Sequence, residues 1–93
     1  MATINFTDNG DSTISYSGGE ATVAIYGTFG GGTLKAEASF DNGTTWIEIK
    51  SVNNVAITGV NANVIHNIKI TGAGCKIKFT VAGATSPNLK VTI

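Results

Sequence analysis

Acid–base or metal chemistry in this 93-residue chain would rest on six carboxylates (Asp8, Asp11, Glu20, Glu37, Asp41 and Glu48), one histidine, His66, and one cysteine, Cys75. A glycosidase needs two carboxyl groups facing each other across a cleft. Glu37 and Glu48 flank a turn at 41–44, but with Lys35 and Lys50 beside them they read as a solvated cross-strand charge ladder. Asp8-Asn9-Gly10-Asp11 superficially suggests a calcium loop; it lacks the glutamate that closes one and is expected to be a surface turn. His66 sits among Ile65, Asn67 and Ile68, with no orienting carboxylate or second ligand beside it. Cys75 alternates with Ile77 and Phe79 and is expected to be a small buried hydrophobe rather than a reactive thiol. A single cysteine forms no internal disulfide, and no Cys/His metal spacing is present. No catalytic, cofactor or metal residue is assigned, and the chain is expected not to be an enzyme.

The sharpest local signal is Ser39-Phe40-Asp41-Asn42-Gly43-Thr44-Thr45-Trp46, which matches the S-x-D-x-G-x-T-W pattern called the Asp-box. Its residues suit a hairpin. Gly43 supplies a positive φ, Asp41 can accept backbone amides across the loop, Thr45 enters the return strand, and Trp46 folds back as an apolar plug. Sialidase propellers carry several such boxes on much longer chains, together with arginines for the substrate carboxylate; this chain has one box and no arginine. Ser39, Asp41, Gly43, Thr45 and Trp46 are therefore read as a structural hairpin, with partner or sugar contact by Trp46 as the second reading. Gly30-Gly31-Gly32 lacks the context of a phosphate-binding loop and reads as a connection between strands.

The remaining aromatics divide by position. Phe40 and Phe79 fall on apolar strand faces and are expected in the core. Tyr16, Tyr26 and Phe29 border glycine-containing loops and could form a binding platform. With Trp46, that platform makes a carbohydrate-binding module the alternative from another functional class.

The elements that must hold these residues are strands. Leu34, Ala36, Ala38 and Phe40 alternate with Lys35, Glu37 and Ser39; Cys75, Ile77, Phe79 and Val81 alternate with Lys76, Lys78 and Thr80. Leu89, Val91 and Ile93 alternate with Lys90 and Thr92, and Val64, His66, Ile68 and Ile70 share one side of their run. Such a period of two with one wet face marks antiparallel strands. Ala21 to Phe29 forms another, with Val23 and Ile25 inward; shorter candidates are 3–6, 13–16, 46–49 and 55–58. Turn signals at 8–11, 17–19, 30–32, 41–43, 72–74 and 82–87 separate them at intervals of roughly 8–12 residues. The expectation is all-β: one antiparallel β-sandwich domain over residues 1–93, immunoglobulin-like or jelly-roll-like, with about eight strands.

Composition narrows the partners. Six lysines balance the six acids, and only 13% of the chain is charged, which argues against a nucleic acid or an anionic membrane. No apolar run approaches the roughly 20 residues of a membrane helix. The opening Met1-Ala2-Thr3-Ile4-Asn5 has neither the basic nor the apolar region of a secretory signal, so a reduced, cytoplasmic site of synthesis is expected. A chain of this size buries only about 63% of its unfolded surface, so oligomerisation or docking on a larger body would help it.

Two segments, Gly32 through Trp46 and Gly74 through Ile93, together resemble small virion structural proteins of tailed bacteriophages. The resemblance lies in a strand running into a D-x-G-x-T-W hairpin, then a late hairpin of alternating lysines and apolar residues through Gly83-Ala84-Thr85-Ser86-Pro87 to the final strand. It implies a β-sandwich that binds the major capsid protein or other virion proteins, as a homo-oligomer or on a lattice. A head decoration or cement role is expected, with collar, tail or fibre attachment as the alternative. The resemblance transfers no catalytic residue. The final strand, with Leu89, Val91 and Ile93, is expected to be an edge open to pairing with a partner.

Overall fold

Lysine-bearing outer faces and β-branched inner faces leave each alternating run one way to hide its apolar side, against a second sheet. The computed structural model describes residues 3–71 and 74–93; of the turn expected at 72–74, Gly72 and Ala73 lie outside the described residues. It contains β1 (Thr3–Phe6), β2 (Gly10–Tyr16), β3 (Gly19–Thr28), β4 (Thr33–Ser39), β5 (Ile47–Glu48), β6 (Val64–Ile70), β7 (Cys75–Ala82) and β8 (Asn88–Thr92). The strands form two four-stranded antiparallel sheets, ordered β1-β8-β3-β6 and β2-β7-β4-β5.

This order follows from rolling up one long hairpin. β1 pairs with β8, β2 with β7, β3 with β6 and β4 with β5; the roll then closes β8 onto β3 and β7 onto β4. That is jelly-roll connectivity, eight strands in two sheets. An immunoglobulin order would place the first two strands side by side in one sheet, whereas β1 and β2 lie in different sheets.

Between the sheets, Val23, Ile25, Leu34, Ala36, Ile57, Ile68, Ile77, Phe79, Val81, Leu89 and Val91 are all buried. The radius of gyration is 12.4 Å, close to the roughly 12 Å of a compact chain this long. Residues 49–60 close one side. Ile57 O accepts from Ala36 N, Leu34 and Val60 exchange two backbone bonds, and Val52 N donates to Asn67 O on the edge strand β6. The 55–58 strand expected from sequence is replaced by isolated bridges, Lys50 to Ala56 and Leu34 to Val60, because this segment follows β4 only briefly. At one end of the roll, Asn9 exchanges two hydrogen bonds with the backbone of Ala84, tying the β1–β2 turn to the β7–β8 turn.

Two expectations are corrected by the sheet order. β8 is an interior strand, flanked by β1 and β3, so it offers no free edge. Leu89 and Val91 are fully buried core residues, and Ile93 is half-buried against the same core.

Candidate functional site

The Asp-box turn joins β4 to β5. Asp41 Oδ1 accepts hydrogen bonds from Ser39 Oγ at 2.8 Å, Thr44 N at 3.1 Å and Thr45 N at 2.7 Å, while Ser39 Oγ accepts from Gly43 N at 2.8 Å. Hydrogen bonds from Thr45, then from Ser39, hold the Asp41 carboxyl down from 3.8 to about 2. The backbone turns through left-handed φ at Asn42 (61°) and Gly43 (93°). Ser39, Asp41, Gly43 and Thr45 thus form one hydrogen-bonded turn.

Trp46 sits at the exit of this turn, half-buried, with Lys78 Nζ 4.3 Å from its ring centroid. A Cβ on Gly43 would lie 3.6 Å from Trp46 Cζ2. Lys78 also lies 3.9 Å from Glu37 Oε1, and Lys35 lies 3.6 Å from the same atom. Glu37 lies opposite Glu48, a like charge, and is held by Lys35 and by Lys78 of β7; among the described residues Glu48 and Lys50 form no ion pair, so the expected ladder is reduced to a cluster around Glu37. An ammonium group thus occupies one face of the indole ring.

Phe40 departs from expectation. Alternation places it with Leu34, Ala36 and Ala38, yet it is 58% exposed, and Ser39, expected on the polar face, is 1% exposed. The strand ends at Ser39 because its hydroxyl serves the turn; the turn covers it, and Phe40 is left at the rim.

Tyr16, Tyr26 and Phe29 do not come together. Tyr16 closes β2 and donates its hydroxyl to Gly19 O at 2.8 Å. Tyr26 lies seven residues beyond Gly19 on β3, about 23 Å away at an extended rise. Its hydroxyl contacts Thr92 Oγ1 at 3.3 Å on the outer face of the β1-β8-β3-β6 sheet. Phe29 is half-buried against the core. No shared platform exists among the three.

Cys75 is buried, and desolvation raises its thiol pKa. Among the described residues no group of three His, Cys, Asp or Glu side chains gathers as a metal site. What sequence reading missed is an open groove of about 530 Å³ lined by Ser15, Tyr16, Ser17, Phe40, Asn42 and Lys76. It arises because β2, β7 and the Asp-box turn end side by side, with Tyr16 opposite Cys75 and Ser39 opposite Lys76. No protein-family model, curated protein or solved structure matches this chain.

Proposed function

We propose that this protein is a non-enzymatic structural component of a tailed-phage virion, a head decoration protein that is made in the host cytoplasm and binds the capsid surface. The observation that carries this reading is the eight-strand order β1-β8-β3-β6 and β2-β7-β4-β5. It is the jelly-roll architecture, which viral capsid domains and lectins use, here in a chain whose segments 32–46 and 74–93 resemble those of virion proteins. The step from fold to function is an analogy of architecture.

Surface chemistry supports it. The outer face of the β1-β8-β3-β6 sheet presents Thr22, Asn67, Thr92 and the 68% exposed Ile65 together with Lys90 and the Glu20–Lys69 pair, whose charges lie 3.6 Å apart. With two of its three charges paired to each other, a face of this kind suits shape-matched packing on a lattice better than capture of a charged ligand. Binding to a lattice only in the folded form would also stabilise a small domain by mass action.

Quantitative mass spectrometry of purified particles tests the reading. Copy numbers in proportion to capsomers are expected. A handful of copies would move the protein to the collar, tail or fibre, and absence from particles would overturn the virion reading altogether.

A further inference from the structure

The groove at the end of β2, β7 and the Asp-box turn has the composition of a saccharide site. Phe40 stands 58% exposed on its rim, on backbone held by the Ser39 and Asp41 hydrogen bonds. The backbone that carries the ring is thus ordered before any ligand arrives, which lowers the cost of using it as an aromatic anchor. Tyr16 lines the same groove, with its hydroxyl engaged by Gly19 O. Ser15, Ser17 and Asn42 add neutral donors and acceptors, and among the described residues the Asn42 amide has no hydrogen-bond partner within the protein.

Charge narrows the class. Lys76 is the one cation in the lining, no carboxylate lines the groove, and among the described residues Lys76 has no ion-pair partner. The volume, about 530 Å³, falls within the roughly 300–1,000 Å³ of small-ligand sites. A nucleic-acid strand would need a track of cations along its backbone. A pyranose carrying a carboxylate meets all the features: an apolar ring face for Phe40, hydroxyls for Ser15, Ser17 and Asn42, and a carboxylate for Lys76. We propose that the groove bounded by Tyr16, Phe40, Asn42 and Lys76 binds an acidic pyranose unit of a polysaccharide. The site is independent of the virion reading and of Trp46, whose ring lies under Lys78.

The test is an amide-resolved NMR titration of the full chain with an oligogalacturonate and with a neutral galacto-oligosaccharide of the same length. Saturable shifts confined to the groove, stronger with the acidic chain, are expected. F40A should weaken binding about tenfold with the rest of the spectrum unchanged, since the ring is mostly outside the core. K76Q should level the affinities for acidic and neutral chains. No saturable shift with either glycan, shifts centred elsewhere, or equal affinities in the unmodified protein would overturn the proposal.

Discussion

Ser39 Oγ donates to Asp41 Oδ1 at 2.8 Å, and this short bond between two residues of the β4–β5 turn decides where Phe40 goes. The same hydroxyl accepts from Gly43 N. With both its functions used, Ser39 is covered by the turn it organises, and Phe40 is carried out of register with the core face of β4. One hydroxyl thus both ends a strand and exposes an aromatic ring beside Tyr16 and Lys76.

The Asp41 carboxylate makes that turn sensitive to acid. Its folded pKa, about 2, lies below its ordinary 3.8, so protonation disfavours the folded state. The stability it contributes is whole above 3.8 and is lost as pH falls through about 2. Urea unfolding across this range should show a falling midpoint in the unmodified protein. D41N should flatten that fall and be less stable at neutral pH; an unchanged acid slope in D41N would assign it to other groups.

Two glycines should differ in what a methyl group costs. Gly43 has φ 93°, and a Cβ there would meet only Trp46 Cζ2 at an ordinary 3.6 Å. G43A should therefore lose about 1 kcal/mol, from backbone strain alone. At Gly27 a Cβ would overlap the carbonyl oxygen of Asn88 on β8, which its strand pairing holds in place. G27A should cost about 3 kcal/mol, and equal losses for the two in chemical denaturation would refute the distinction.

Asn9 is the polar link between the β1–β2 and β7–β8 turns, its amide donating to Ala84 O at 2.9 Å and accepting from Ala84 N at 2.8 Å. Both bonds are exposed, so N9A should cost about 1–2 kcal/mol. N9D keeps the acceptor and loses the donor, and should fall between N9A and the unmodified protein. Hydrogen exchange at Ala84 reports the loss directly; unchanged protection in N9A would show that the turns are held by other contacts.

Strand interiors were legible in the sequence and strand neighbours were not. The alternation in Cys75–Val81 and Leu34–Ala38 reads directly as one buried and one wet face, and the buried positions follow it. Leu89 and Val91 alternate just as clearly, yet alternation is local and says nothing of which strands flank it. Val91 lies opposite both Ile4 and Ile25, residues from the far end of the chain, and that pairing makes β8 interior. The Asp-box was legible because its residues contact one another within a few positions. The groove was not, because it joins Tyr16, Phe40 and Lys76 from three separate strand ends. Phe40 was misplaced for a related reason: periodicity continues past a strand end that only the Ser39 hydroxyl reveals.

Trp46 and Lys78 supply the remaining prediction, which separates a structural role from a binding one. The ammonium lies 4.3 Å from the ring centroid, and the Lys78 and Glu37 side chains are only 20% and 19% exposed, so the cation is partly shielded from water. A double-mutant cycle on W46A and K78A should give a coupling of about 0.5–1 kcal/mol. W46A itself should cost more than that coupling, because it also uncovers the turn that Ser39 and Asp41 hold. A ring whose role was to contact a ligand would behave differently: W46A would leave unfolding unchanged, and K78A would expose the ring for binding. Denaturant unfolding of the four proteins in the cycle distinguishes the two, with zero coupling and an unaltered W46A midpoint arguing against the structural assignment.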